Sequence, residues 1–415
     1  MPSLIVKNDR QYTDLIAVTG ILLLFIGFLF NRVVSNTGFL LIGVYTLIHL
    51  SKVKWLFKDK WMYSFILLAL LPLLSDIILQ GTDSIHQRSL MKFLLILFPA
   101  FIFVYNPDRK SIHTIIYLFI ILMLISSCFS LFHYFSDLDQ MAAKYKVSKV
   151  IHVLSFRDHI RISWATVISC LLAFYLILTV KQKRLSWFLS VYIIFQIVFL
   201  HILGAKTGLI CLYLTIIILS WYLFKGRSRL ILLFIIPIVL ALPVIAYKTI
   251  PSLEQRFNFI KYDFEHYMRN EYREGLSDAV RYFSLKAGMQ IIREHPVTGV
   301  GFSQLQQETN LWYKKNVPAM TEQNYFLPSS QIVIYWAACG ILGLIVFLWH
   351  VLLPYFTIYL KNHIWFMSFF IPTSCSFVFE THMEGQLPLF LYGFFVSWFW
   401  FLAYQDRNLN ENISV

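Results

Sequence analysis

Long apolar runs broken by short polar stretches dominate the chain from about residue 14 onward. A helix needs about 20 apolar residues to cross a hydrocarbon core, with tolerance on either side. The runs predict about twelve spans, near residues 14–31, 37–51, 61–79, 90–105, 113–135, 163–180, 185–203, 207–224, 229–249, 329–353, 364–380 and 387–404. The second run is short, so the pair joined by Asn31 to Asn36 is also open to a re-entrant hairpin.

One long interval, residues 251–328, is polar. Inside it Val280, Phe283, Ala287 and Ile291 recur at helical spacing, Ser277 stands where a cap belongs, Asp278 occupies the first turn, and Pro296 ends the pattern. Thr298-Gly299-Val300-Gly301 then predicts a tight turn of the kind glycine permits. An amphipathic helix carrying Arg281 and Arg293, followed by that turn, reads as a lid over an anionic ligand. The expected fold is all-α: a polytopic membrane bundle with a large helical outer loop. Its parts are nine spans in 1–250, the loop at 251–328, three spans in 329–404 and a polar tail at 405–415.

Composition supports this class, since 58% hydrophobic and 14% charged residues exclude an ordinary soluble globule. A net charge of +13 would point to nucleic acid in a soluble protein. Here the basic residues are spread through the loops, so membrane lipids or a phosphorylated substrate are the expected partners, and no nucleic acid. Cys128, Cys170, Cys211, Cys339 and Cys375 all lie in apolar runs, which argues against a disulfide framework. The first run has no small-residue cleavage site behind it and is expected to remain as an anchor.

Lys and Arg gather after every even-numbered span, as at Lys52, Lys54, Lys58 and Lys60, or Lys181, Lys183 and Arg184. The positive-inside rule therefore predicts both termini in the cytoplasm and the intervals 80–89, 136–162, 251–328 and 381–386 on the outer side.

Four segments on that outer side concentrate ionisable groups. Phe156 to Ser163 carries Arg157, Asp158, His159 and Arg161; Gly204-Ala205-Lys206-Thr207-Gly208 carries Lys206; the predicted amphipathic helix carries Arg281, Arg293 and His295; and Glu380 to Gln386 carries Glu380, His382 and Glu384. Charge at membrane depth is expensive and marks candidate sites. The basic residues equally suit snorkelling to headgroups or a solvated surface. Glu380 and Glu384 gain little from anionic headgroups, so the bland reading fits them less well. Several cations converging with a carboxylate suit a particular chemistry, in which arginine and lysine hold a diphosphate while a carboxylate or imidazole takes a proton from an attacking hydroxyl. That scheme needs no metal and no cofactor, and phosphate-loop, dinucleotide and nucleophile-elbow patterns are absent.

At these residues the chain resembles the O-antigen ligase and O-antigen polymerase superfamily. The likeness rests on the span count, the late outer loop, the Arg-led helix ending in His295-Pro296-Val297-Thr298-Gly299-Val300-Gly301-Phe302, and the Glu-x-x-x-Glu-x-Gln at 380–386. It also rests on a hairpin like the family's Ser-Arg-x-Gly that here reads Ala205-Lys206-Thr207-Gly208. The resemblance implies a C-type glycosyltransferase in the bacterial inner membrane, its active face periplasmic, taking a glycan from undecaprenyl diphosphate. The acceptor would be another lipid-linked repeat unit in a polymerase, or lipid A-core in a ligase. Arg161, Lys206 and Arg281 would bind the donor diphosphate, with Arg157, Arg293 and Ser329 as further substrate-binding candidates.

Ligases of this family usually carry a histidine shortly before a Gly-x-x-Gly. Counting back from Gly340-Ile341-Leu342-Gly343, that position is Ser329, whose hydroxyl is no base near neutral pH. Glu384, Glu380, His382 and His295, with Glu322, are the groups left for the role, and the missing imidazole favours a polymerase. A polysaccharide flippase is the rival, with Pro72, Pro99, Pro237 and Pro243 as possible helix breaks. The ionisable residues nevertheless cluster toward one face rather than at mid-membrane.

Overall fold

The computed structural model describes residues 2–81, 87–136, 151–155, 158–224, 226–269, 271–273 and 275–413, and all regular structure among them is helical. α1 (Pro2–Leu29) and α2 (Arg32–His49) pack as a hairpin, closed by Asn31, whose side chain accepts from the Val33 amide at 2.8 Å. α3 (Lys60–Gln80) follows, then α4 (Gln87–Met91) and α5 (Leu94–Tyr105), which together fill one predicted span. α6 (Arg109–Ser136), α7 (His159–Val180), α8 (Lys183–Leu203), α9 (Lys206–Leu223) and α10 (Leu232–Thr249) complete the first part. The polar interval forms α11 (Pro251–Met268), α12 (Ser277–Glu294) and α13 (Leu305–Asn316). α14 (Gln331–Phe356), the short α15 (Ile358–Lys361), α16 (Ile364–Ser376) and α17 (Gln386–Ile413) end the described chain.

Among the described residues ten segments are long and apolar enough to cross a membrane, and two further apolar helices, Asp14–Leu29 and Ile364–Ser376, are shorter. The expected twelve is reached only if both of these cross. α16 stops at Ser376 rather than running on to residue 380: its last turn tightens into bonds three residues back, Val378 N–H to Cys375 O and Phe379 N–H to Ser376 O, and beyond it the Phe377 carbonyl accepts from the Gln331 amide and those of Phe379 and Thr381 from arginine side chains.

α17 stands at the centre. Its membrane-length stretch is almost wholly buried, with Phe390, Phe394, Phe395, Trp398 and Trp400 all inside, and Phe394 meets Phe25 at 5.5 Å and Phe98 at 6.0 Å between ring centres. A helix apolar on every side belongs in such a position. On the periphery the apolar side chains face outward, Ile78 being 77% exposed. That is the surface a bilayer covers, because lipid tails are as apolar as a protein core.

The glycine-rich turn has a structural role that its composition alone does not reveal. α14 is interrupted at Gly340, whose φ of 62° and ψ of −156° are non-helical. The turn docks into this break: Val300 N–H donates to Ala337 O at 3.0 Å, Gly301 N–H to Ala338 O at 2.8 Å, and Ile341 N–H to Val297 O at 3.2 Å. The two backbones approach so closely that a Cβ on Gly340 would overlap the Val297 carbonyl, and one on Gly299 the Ala338 carbonyl. The turn thus fastens the polar unit to the bundle, while the neighbouring helix lines the cavity described below.

That unit has its own small core of Leu276, Ala279, Phe283, Tyr313, Val317 and Met320. Ser277, expected as the cap of α12, is its first helical residue and makes no cap bond. The fully buried carboxylate of Asp263 on α11 takes its place, accepting from the amides of Asp278 at 2.6 Å and Ala279 at 2.9 Å. A negative charge suits a helix N-terminus, and one from a neighbouring helix also fixes the angle between the two.

Candidate functional site: a cationic cavity at one end of the bundle

A cavity of about 750 Å³ opens where the first turns of α7, α9 and α12 meet the 379–385 segment between α16 and α17. Arg161, Lys206, Arg281, Glu380, Glu384 and Ser329 all line it. Five cationic side chains (Arg88, Arg161, Lys206, Arg256, Arg281) face four acidic ones (Asp158, Asp278, Glu380, Glu384) across this space.

Local structure explains how residues so distant in sequence converge. Asp158 caps α7 through the Arg161 amide at 3.1 Å, placing Arg161 in the first turn, at the mouth of the bundle. Gly204 ends α8 in the left-handed conformation, Ala205 caps α9, and Lys206 and Thr207 open it at the same level. Gly208 lets α9 close on α7, since a Cβ there would collide with Ser163. The second hairpin glycine therefore serves packing between the two helices that carry the cations.

Glu380, 5% exposed, is the hub. Its Oε1 accepts from Arg281 Nη2 at 2.7 Å and Thr207 Oγ1 at 2.8 Å, and its Oε2 lies 3.7 Å from Arg161 Nη1. The same arginines hold the backbone of the segment, Arg281 through Phe379 O at 3.1 Å and Arg161 through Thr381 O at 3.0 Å. Lys206 pairs with Asp278. Each guanidinium carries five N–H donors, more than Glu380 and one carbonyl consume. With Arg281 34% and Lys206 39% exposed, donors remain accessible from the cavity.

Glu384 forms a second centre. Its Oε1 is bound by Lys92 and by Gln331 Nε2 at 2.9 Å, and the Gln331 carbonyl oxygen accepts from the Met383 amide at 2.8 Å. Ser329 shares a hydrogen bond of 2.8 Å with Ser284. The remaining wall, with Tyr272, Asn324, Tyr325 and Phe326, offers the aromatic and amide surface that suits a polar organic ligand.

His159 also lines the cavity, whereas several other sequence candidates lie elsewhere. His382 is buried, with its ring 4.1 Å from that of Trp164 and its Nε2 2.6 Å from Ser376 Oγ, and it does not line the cavity. Burial, seconded by the Arg161 charge, holds this imidazole well below its usual pKa, so it is neutral. Arg293 and His295 are exposed at the far end of α12, outside the lining. Glu322 is 72% exposed and pairs with Lys314 at 2.7 Å. Arg157 lies outside the described residues. Among the described residues no group of three or more His, Cys, Asp or Glu side chains is arranged to hold a metal ion. Arg88, Arg256, Lys92 and Gln331 do not stand out in the sequence reading. Lys92 has a readable signal, as a lone ammonium in an apolar run; Arg256 has none, being one charge among many.

The structure thus defines a multi-pass, all-helical membrane protein with a cationic cavity at one end of its bundle. Residues 191–348 match the family model described as O-antigen ligase. The match, over 158 of the 415 residues, supports the O-antigen ligase and polymerase superfamily, a family whose substrates in general are a lipid-linked glycan and an acceptor. The matched segment covers α9, the whole polar unit and most of α14, which contribute Lys206, Arg256, Arg281 and Ser329 to the cavity. The search of curated proteins found no match.

Proposed function

We propose that the chain is a glycosyltransferase of the bacterial inner membrane that moves a glycan from undecaprenyl diphosphate onto a lipid-linked repeat unit. The observation that carries this reading is the meeting of Arg161, Lys206, Arg256 and Arg281 at one cavity with Glu380 between two of the arginines. In the absence of donor, Glu380 holds the arginines as their counterion. When the donor binds, its diphosphate takes their remaining donors by the planar, two-point contacts that guanidinium favours. The acceptor hydroxyl attacks the anomeric carbon, the carbon–oxygen bond to the diphosphate breaks, and the leaving group departs with the electron pair. Fixed cations stabilise that developing charge. Glu384, with Lys92 and Gln331 both bound to Oε1, receives the hydroxyl proton.

Ser329 lies at the cavity where ligases of the superfamily carry their histidine. A serine there favours lipid-linked glycan over lipid A-core as acceptor, with ligation as the second reading. The basic exits of the even-numbered spans support cytoplasmic termini, which puts the 251–328 unit and the cavity on the periplasmic face.

Purified protein in liposomes, supplied with an undecaprenyl diphosphate-linked oligosaccharide, tests the proposal. Elongated or transferred glycan is the expected product, lost in Arg161→Ala and Arg281→Ala. Movement of intact donor between leaflets without glycosidic transfer would identify a transporter instead. Offering lipid A-core beside the lipid-linked repeat unit separates ligase from polymerase.

A further inference from the structure

Lys92 interrupts a span. α4 ends at Met91 and α5 begins at Leu94, so the ammonium sits in a break inside the run of residues 87–105. It is 1% exposed and does not line the cavity. Every contact of its Nζ points toward the wall behind Glu384: the Glu384 carboxylate, the Met383 carbonyl at 2.5 Å, and the rings of Phe302 at 5.0 Å and Tyr335 at 5.5 Å. Gln331 closes the arrangement from α14, bonded to Glu384 Oε1 and to the Met383 amide.

A buried ion pair seldom stabilises a fold more than apolar residues of the same volume would, and an ionisable group at membrane depth generally has a function. Glu384 is the one member of this arrangement with a charge at the cavity, and both of its bonds fall on Oε1. We propose that Lys92 is the positioning residue of the transfer reaction: together with Gln331 it pins Glu384 Oε1 and orients Oε2 for the acceptor hydroxyl. The inference rests on the glycosyl-transfer reading and adds an assignment to it. Glu380, committed to Arg161, Arg281 and Thr207, organises the donor; Glu384, committed to Lys92 and Gln331, serves the acceptor.

The test compares wild type, Lys92→Met, Lys92→Arg, Glu384→Gln and the double variant Lys92→Met/Glu384→Gln in the liposome assay. A displacement of about 1 Å in a reacting group lowers turnover about 100-fold, and Lys92→Met is expected to lose about that much in kcat with its donor KM within about threefold of wild type. Lys92→Arg restores part of the rate, and the double variant is no slower than Glu384→Gln. An unchanged kcat with a raised donor KM would overturn the proposal, as would losses in the double variant that multiply. If Lys92→Met alone fails to fold, Lys92→Arg and the double variant decide. In the double variant no buried carboxylate is left without its counter-charge.

A second measurement needs no turnover. The infrared carboxylate band of Glu384, assigned by its absence in Glu384→Gln, is expected to shift in Lys92→Met and to stay in place in Arg161→Ala. An unmoved band in Lys92→Met refutes the positioning role whatever the enzyme does. A moved band in a protein that transfers no glycan refutes the reaction and leaves the pinning of Glu384 standing.

Discussion

Replacing Glu380 by glutamine separates two roles that a carboxylate among arginines can have. As counterion it competes with the diphosphate for the same guanidinium donors, so its neutralisation should tighten donor binding. The magnitude follows from its bonds. A hydrogen bond with one charged partner contributes about 1.5–3 kcal/mol. The Arg281 contact at 2.7 Å is partly screened, that side chain being 34% exposed, while Arg161 at 3.7 Å is better buried. Taking the lower end, release of both arginines is worth about 1.5 kcal/mol to an incoming dianion, or roughly tenfold in affinity. The same change weakens the empty protein, because a buried charge deprived of its partner destabilises by about 3–5 kcal/mol, and less here for the exposed arginine. Titration calorimetry with a short-chain prenyl diphosphate in detergent measures the first effect, and thermal unfolding with and without that ligand the second. Glu380→Gln should bind about tenfold tighter and regain its lost stability on binding, whereas Arg281→Ala should bind about tenfold or more weakly. Weaker binding by Glu380→Gln would refute the counterion role and return Glu380 to the candidates for proton acceptor.

Three further outcomes follow from other contacts. Gly340→Ala places a Cβ against the Val297 carbonyl at a non-helical φ and ψ, so a loss of about 2 kcal/mol or more is expected, read as a lower unfolding temperature or failure to run as a single species in size exclusion. Asp263→Ala leaves the amides of Asp278 and Ala279 without their acceptor and should cost about 1–2 kcal/mol, seen as faster hydrogen exchange in the first turn of α12 together with a raised donor KM through the Lys206–Asp278 pair. His382 is neutral in the folded state because its pKa is lowered, so its contribution is fully present above the ordinary histidine range near pH 6.5 and is lost as pH falls below it. Wild type should therefore lose more stability than His382→Phe on acidification from about pH 7.5 to 5, and identical slopes would contradict the burial argument.

The sequence states the all-helical class and only part of the cavity's lining, for physical reasons that differ. A bilayer demands long apolar helices, so the spans are legible to within a few residues at most ends. The exceptions lie where local chemistry overrides hydropathy. α16 ends early in a tightened last turn, with the Phe377 carbonyl beyond it given to the Gln331 amide, and α2 begins at Arg32 because Asn31 caps it before the apolar run starts. Charges at helix mouths are equally visible, and Arg161, Lys206, Arg281 and Glu380 do share one cavity. Arg293 illustrates a limit that helix geometry sets by itself. It follows Arg281 by 12 positions on one helix, which places it about 18 Å along the axis and about 120° around it, too far for both to hold one diphosphate. The missed groups are hidden in two ways. Arg256 belongs to a polar helix whose inward face is set by packing that one sequence does not disclose. Lys92 sits within an apolar run, where a span count absorbs one ammonium without complaint. The helix break that holds it and the glutamate 292 positions away that neutralises it appear only in three dimensions. Both carboxylates of the 380–386 segment thus have partners from remote parts of the chain, Glu380 in Arg161 and Arg281, Glu384 in Lys92 and Gln331. Spacing along the chain identifies such a pair of acids but not their division of labour, which depends on what each is bound to.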